Sequence, residues 1–398
     1  MPLTKVSFSV IQVANNVTST TVGNTTSIPS ITFDQNGVIT AVSNNTINLN
    51  SVTGDLAVSG NITASGTGAF LPSKGTTGQR PTSAVAGQTR YNTTTQVMEY
   101  YNGTDWYAIT AVNTGNVNIS YAIVAGGGGG GSNNGGGGGG GGVVLGSTAL
   151  VPSSVYTVTV GAGGTGGTFN GATSTSGANS SITSLTTAIG GGRGGSTSTP
   201  EDGGSGGSGG GGGSGESNSS VTVNGGSATA GQGFAGGTGT SSNNDRCGGG
   251  GGGASAAGVN GNIGSRIAGN GGDGIASSIT GSSVTYAGGG GGGAQNSATG
   301  TTPTGGSGGA GGGGQGGLSN SSAIQRNGSA GSTNTGGGGG SGTGTNGTQN
   351  PGSAGGSGVV IMSIPTARYT GTISGSPTVS TSGANTILTY TSSGSYTA

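Results

Sequence analysis

The side chains that could do chemistry are few, and their types exclude more than they offer. The chain has no histidine, so Ser-His-Asp and Cys-His catalytic arrangements, zincin motifs and the commonest metal ligands cannot be assembled. Its single cysteine, Cys247, has no intrachain disulfide partner, which argues against an oxidatively stapled secreted scaffold. Arg246 beside it would suit a reactive thiolate, but a small buried residue in a tight layer is the favoured reading of Cys247. Glu201 and Asp202 form a carboxylate pair, yet adjacent residues in a glycine loop lack the apolar wall that raises one carboxyl for acid catalysis, and a solvated turn is the simpler assignment. Gly-x-Gly-x-x-Gly recurs by chance in such a sequence, and no Gly-Lys-Ser/Thr follows a glycine loop to meet a phosphate. No catalytic residue, cofactor or metal is therefore expected, and the protein is read as a non-enzyme.

What remains is binding. The chain carries 9 basic and 9 acidic residues and no net charge, so it has no field for nucleic acid or an anionic membrane. No apolar run approaches the roughly 20 residues that span a bilayer. The opening Met1-Pro2-Leu3-Thr4-Lys5 leads into apolar residues broken by Thr, Ser and Gln12, which is no signal peptide. Synthesis in a cytoplasm without a signal peptide is expected. Candidate contact residues are those that interrupt the glycine pattern: Asn243, Asn244, Asp245 and Arg246, Arg266 within 259–267, Tyr286 within 283–286, and Arg326 at the end of 318–326. Arg246, Arg326, Phe234 and Tyr286 are plausible anchors, since Arg and Tyr are enriched at binding hot spots. For Phe234 and Tyr286, packing between layers is at least as good a reading.

These interruptions need a frame, and the frame is glycine. Of 104 glycines, 89 lie in the 233 residues 126–358. They come in blocks of similar length at 126–131, 135–142, 203–213, 248–253, 288–293, 305–317 and 336–340, with β-like segments such as 121–125, 155–161 and 359–364 threaded between them. Gly/Ser tracts are normally flexible coil, but blocks of similar length separated by strands point to order. Polyproline-II-like helices rise about 3.1 Å per residue, so a six-residue block spans roughly 19 Å. Packed side by side, such helices bond through their backbones, and only glycine lets them approach closely enough. Collagen is excluded by the missing Gly-X-Y register, and flat glycine sheets by their exposed edges.

The flanks read as ordinary β sequence. Asp34-Gln35-Asn36-Gly37 lies between 31–33 and 38–42, and Asn102-Gly103 lies between 97–101 and 104–107, each a hairpin signal. Residues 54–66 have a single apolar edge, which suits either chains wound about a threefold axis or one strand of an intrachain sandwich. In 71–110 the aromatics Tyr100 and Trp106 suggest a sugar platform, but filling the core of a small β knob is the favoured expectation. The fold class is thus mainly β and irregular with essentially no α-helix: an N-terminal attachment and shaft region (1–70), a small aromatic β knob (71–112), a glycine-rich domain of strands plus a polyglycine-II bundle on a β-sandwich (113–365), and a C-terminal β unit (366–398).

Together these motifs resemble bacteriophage tail-fibre proteins. The opening Pro2-Leu3-Thr4-Lys5-Val6-Ser7-Phe8, the shaft-like stretch Gly54 to Thr63, and the stretch from Gly75 through Gln88-Thr89-Arg90-Tyr91-Asn92 to Trp106 are all similar to phage fibre modules. Ile123-Val124-Ala125-Gly126, Tyr156-Thr157-Val158-Thr159-Val160-Gly161 and Gly358-Val359-Val360-Ile361 resemble the glycine-rich domain of phage receptor-binding proteins, including T-even-type tail-fibre tip adhesins. The resemblance implies a virion adhesin, a homotrimer that attaches to other tail proteins through its N-terminal region. It would bind a host-surface glycan or outer-membrane protein through loops between glycine helices. The alternative is a purely structural shaft, connector or self-assembling filament subunit; an ice-binding protein is disfavoured by irregular threonine spacing.

Overall fold

The computed structural model describes residues 27–37, 39–46, 71–109, 115–168, 173–197, 201–215, 220–243, 245–296, 302–320, 325–345 and 348–398. The fibre-like opening at residues 2–8, the stretch 54–66 and Asn244 lie outside the described residues. The described chain is strands and irregular backbone, whose helical turns are two short 3-10 segments at Thr77–Gln79 and Thr366–Arg368. It divides into an N-terminal unit, 1–111, and a larger unit, 112–398.

In the N-terminal unit the Asn36-Gly37 signal makes the hairpin Ser27–Phe33 with Ile39–Thr46. Gly37 takes φ +79°, and Asp34 closes the turn by accepting from the amides of Asn36 and Gly37 at 2.9 and 3.0 Å. The knob is a four-stranded sheet in the order Lys74–Gly75, Thr89–Asn92, Val97–Tyr101, Trp106–Ile109. Its last turn is set by Asn102, whose side chain accepts from Thr104 and Asp105 at 2.8 and 2.7 Å, with Gly103 at φ +106°.

The knob's interior differs from the aromatic core expected. Glu99 is buried, held by Arg80 at 2.6 Å, Asn92 at 3.0 Å and Arg90 at 3.6 Å. Arg90 is itself buried and stacks over Trp106, 5.9 Å from the ring centroid. Tyr100 faces outward instead. Strand alternation explains this: Arg90, Glu99 and Ala108 form one cross-strand row, and Thr89, Tyr100 and Tyr107 form a row on the opposite face.

The larger unit is built on a sandwich of a five-stranded and a four-stranded sheet. In the five-stranded sheet, Val359–Pro365 lies between Val117–Val124 and Asn385–Tyr390, with Val143–Leu150 and Thr378–Ser382 at the edges. Val117, Ile119 and Ile123 alternate with polar or small residues and meet Val360, Met362, Leu388, Val158 and Tyr396 in one core. Their neighbours of opposite parity, Ala122, Val124 and Ile361, form a second core with Tyr286 and Ala287 on the other face. Residues 366–398 are stitched into both sheets: Asn385–Tyr390 pairs with Val359–Pro365, and Gly394–Thr397 pairs with Val155–Thr159.

From this sandwich the glycine blocks run side by side as a lattice, and the run 126–131 shows the rule. The amides of Gly126 and Gly129 donate to Ala178 and Thr175, those of Gly127 and Gly130 to Gly356 and Ser353, and those of Gly128 and Gly131 to Gly139 and Gly136, all at 2.9–3.0 Å. The carbonyls accept from Gly191 and Gly194, Gly164 and Gly167, and Gly339 and Gly342 with the same step of three. Residues three apart face the same neighbour, which is the repeat of a polyglycine-II helix, and each buried run bonds to several surrounding runs. A Cβ on Gly127 would stand 2.1 Å from the carbonyl oxygen of Gly337, and one on Gly138 2.0 Å from that of Gly128. These contacts are with backbone, which cannot swing aside.

Outer runs lack a neighbour on one side, and side chains take its place. Asn270 and Asp273, three residues apart, accept from the amides of Ser307 and Ala310 at 2.9 and 2.8 Å. Asp202 accepts from Asn224 at 3.0 Å and Asn260 from Thr238 at 2.9 Å. A buried amide left unpaired costs about 1–3 kcal/mol, so the polar residues punctuating the glycine blocks complete the lattice edge.

Two predictions follow from this packing. Gly138→Ala should cost about 3 kcal/mol or more, or prevent folding, because overpacking here has only backbone to displace; Gly264→Ala, whose Cβ would meet nothing nearer than 3.4 Å, should melt like the parent chain. Equal melting temperatures for the two variants would contradict the lattice. In the knob, the hydrogen bond from Arg80 holds the Glu99 carboxyl below its ordinary 4.5. The carboxylate therefore stabilises the folded knob above about pH 4.5, and that contribution is lost as the pH falls through the lowered folded value. The fluorescence of Trp106, the chain's one tryptophan, should report an acid transition that Glu99→Gln removes.

Candidate functional site

The run 126–131 starts beside Val124 of the sandwich core and ends at Ser132-Asn133-Asn134, roughly 19 Å away at about 3.1 Å per residue. Asn133 and Asn134 turn the chain with φ +52° and +60°, a conformation that asparagine tolerates well among non-glycine residues. The run 135–142 then returns to Val143. The run 288–293 likewise leaves Tyr286–Ala287 in the second core and reaches Ala294, and 248–253 connects Cys247 to Ala254 against the same core. The lattice thus has an apolar end at the sandwich and a second end remote from it.

The remote end is closed by a six-stranded sheet in the order Val221–Val223, Gly239–Ser242, Asp245–Cys247, Ala294–Asn296, Leu318–Asn320, Gln325–Arg326. Ala294–Asn296 and Leu318–Asn320 are parallel, and the other neighbours are antiparallel. Buried polar side chains satisfy the run ends. Asn134 donates to Gln295 at 2.7 Å and accepts from the Gly344 amide at 3.3 Å; Ser319 donates to the Gly344 carbonyl at 3.0 Å, and Thr197 to the Asn133 carbonyl. Burying these groups unpaired would be costly, so the polarity of this end is a requirement of ending backbone-bonded helices.

Four candidate residues lie on the strands and turn of this sheet, and a fifth, Arg266, reaches it from outside. Asn243 occupies the exposed turn between Gly239–Ser242 and Asp245–Cys247 at φ +50°. Asp245 accepts from Arg266 Nε at 3.2 Å. Arg246 sits in the same strand, opposite Ser241 on one side and Gln295 on the other. Arg266 reaches Asp245 from a turn closed by reciprocal bonds between Asn262 and Ile267 at 2.8 and 3.0 Å, and itself takes φ +57°. Arg326 is exposed on the edge strand of the same sheet, three strand spacings or about 14 Å away, but in the row of Leu318, Ala294 and Cys247, whereas Arg246 is in the row of Gln295 and Ser319, so the two arginines lie on opposite faces.

Tyr286 is not part of this surface. It is buried at the sandwich end of the lattice with Val124, Val143 and Ile361, and burial raises its hydroxyl pKa. Phe234 is exposed. Cys247 lies beneath the charged cluster, its thiol fully buried 3.5 Å from the Asn262 carbonyl. Burial, with a smaller push from the Asp245 charge, raises the thiol pKa to about 12, so it is a neutral packing group at physiological pH. Among the described residues, no group of three or more His, Cys, Asp or Glu side chains could hold a metal ion. The Asn133-Asn134 turn and Gln295 were missed by sequence reading, although an Asn-Asn pair between two glycine blocks is the signal for such a turn.

The arrangement places charged and amide side chains on short strands at one end of a backbone-bonded lattice. No curated protein and no solved structure matches the chain. Residues 103–365 match a family described as a glycine-rich domain, a span that runs from the knob's last turn and strand through the lattice to Val359–Pro365 of the sandwich. The periodic backbone bonding of the glycine runs and this match lead to one assignment: the chain belongs to the glycine-rich domain family.

Proposed function

We propose that this protein is a phage tail-fibre protein that attaches the virion to the host cell surface without catalysis, and that the remote end of the glycine lattice presents the contact surface. The observation that supports this reading is the placing of Asn243, Asp245, Arg246 and Arg326 on the strands and turn of one six-stranded sheet, with Arg266 reaching Asp245 from a flanking turn, in a chain whose charged residues are only 5% of the total. A lattice bonded at every turn holds these side chains with little freedom to lose on contact, and preordering of this kind favours binding. Paired amides and guanidinium groups suit hydroxyl-rich or carboxylate-bearing receptors, a surface glycan or the loops of an outer-membrane protein. The likeness of the N-terminal region to fibre-shaft modules supports attachment there to other tail proteins, in a homotrimeric fibre formed in the host cytoplasm and carried on the virion.

Soluble chain, added before phage to cells of the host, should lower the adsorption rate. The double variant R246A/R326A, with unchanged circular dichroism, should need at least tenfold more protein for the same effect, the loss expected from removing two arginine contacts. Equal potency of the variant would remove the sheet as the contact surface. Failure of the parent chain to compete would contradict the attachment reading and favour a structural fibre subunit.

A further inference from the structure

A cavity of about 360 Å³ lies between the five-stranded sheet of the larger unit and the hairpin Ile275–Ser277 with Val284–Tyr286. The hairpin is seated on the second core through Ile275, Ile279 and Tyr286, and its turn brings Gly281 so near Ser382 that a Cβ there would stand 2.5 Å from the hydroxyl oxygen. Residues 277–279 make the cavity's wall. Its floor crosses four consecutive strands, with Asn385, Ser363, Ser120 and Leu145 in turn, a width of three strand spacings or about 14 Å. Pairing puts these side chains on one face: Ser120 is opposite Ser363, Ser363 opposite Ile387 and Leu145 opposite Ala122, and Ile387 and Ala122 belong to the second core. Asn385, in the same strand as Ile387 and of the same parity, shares that face with its cross-strand partner Ser382.

We propose that this cavity is a binding site for a neutral saccharide unit. The site is separate from the remote sheet and stands whether or not that sheet binds a cell. Elsewhere in this unit polar side chains complete the backbone, as Asn270, Asp273, Asp202 and Asn260 do by accepting from amides. The side chains of Ser120, Ser363, Ser382 and Asn385 make no hydrogen bond among the described residues. They are spread along the floor of a cavity, on strands whose backbone pairing holds them in place. Unbonded polar groups converging on one cavity within a fixed frame are the arrangement of a small-molecule site, in which a few placed groups set the ligand's orientation.

The lining selects the ligand class. No acidic or basic side chain lines the cavity, and an ion placed there would lose water without gaining a counter-charge. An apolar ligand would strip water from three hydroxyls and an amide and give them nothing in return. A serine hydroxyl both donates and accepts, and the Asn385 amide has a group for each role, which matches the paired roles of sugar hydroxyls. Leu145, 43% exposed, and Ile279 give an apolar side against which the C–H face of a pyranose can lie. A volume near the lower end of the roughly 300–1,000 Å³ of small-molecule sites suits one or two sugar units. A peptide strand added to the sheet would run along the strands, beside the edge, whereas this cavity runs across them.

The test is ligand-observed saturation-transfer NMR of the full chain with the methyl glycosides of glucose, galactose, mannose and N-acetylglucosamine, and with glucuronate as the charged counterpart. Each is added to about 50 mM, to cover the weak affinities of so small a ligand. At least one neutral glycoside should bind, more tightly than glucuronate, and its binding should be the same at about 0.05 and about 0.5 M salt, because no charge takes part. S363A/N385A, with unchanged circular dichroism, should bind it at least tenfold more weakly. V379A, exposed on the opposite face of the edge strand, should bind it like the parent. In the parent, the methyl resonances of Leu145 and Ile279 should shift as the glycoside binds, a readout that needs no substitution and decides alone if S363A/N385A fails to fold. No binding of any neutral glycoside, glucuronate binding as tightly, full binding by folded S363A/N385A, or Leu145 and Ile279 methyls that do not move would each overturn the proposal.

Discussion

The close approach of one backbone to another is the constraint from which the rest of this structure follows. In the run 126–131 every amide and every carbonyl is bonded to a neighbouring run, and the space that a side chain would occupy is filled by a neighbour's carbonyl oxygen. Glycine is more costly than alanine to order by about 0.5–1 kcal/mol per residue. Here that cost is offset because no other residue permits the contact, and the paired backbone groups would be unsatisfied without it. The lattice is thus held by hydrogen bonds between runs more than by apolar area, which is how a chain with 28% hydrophobic residues builds a unit of this size.

The lattice dictates what lies at its ends and edges. Each run must begin and finish, and its terminal groups need partners. At one end the runs continue directly into strands of an apolar sandwich, where Val124, Val143 and Val359 carry on from glycine blocks. At the other they meet buried Asn, Ser and Thr side chains under a sheet of very short strands. Along the sides, Asn270, Asp273 and Asp202 substitute for absent neighbours. Asp245, Arg246, Arg266 and Arg326 lie on the remote sheet and its flanking turn, with Arg266 paired to Asp245.

Much of this architecture was legible in the sequence because glycine blocks leave few alternatives: similar block lengths implied crossings of one layer, and Asn-Gly marked the two hairpins of the N-terminal unit. The strands 121–125, 155–161 and 359–364 were also readable from their alternation. The remote sheet was not, since strands of two or three residues such as Gln325–Arg326 or Ala294–Asn296 carry no periodicity to read. Their pairing joins residues 221 to 326 in an order that only the lattice geometry sets. Of the candidate residues, Arg246, Arg266 and Arg326 stood out as charges in a chain poor in them. Tyr286 stood out for its size, and size marks a core residue as readily as a contact residue; the second core claims it. The knob misled for a related reason: aromatics dominate its composition, yet the alternation of Arg90 with Tyr91 and of Glu99 with Tyr100 places the ions within.

Amide hydrogen exchange of the full chain, resolved by residue, addresses the backbone lattice directly. Protection of the glycine amides at 126–131, 135–142, 248–253, 288–293 and 336–340 should match that of the sandwich strands Val117–Val124 and Val359–Pro365, because all of them open only when the unit unfolds. Glycine amides that exchange at the rate of an open coil, while the sandwich strands stay protected, would contradict the lattice and the account built on it.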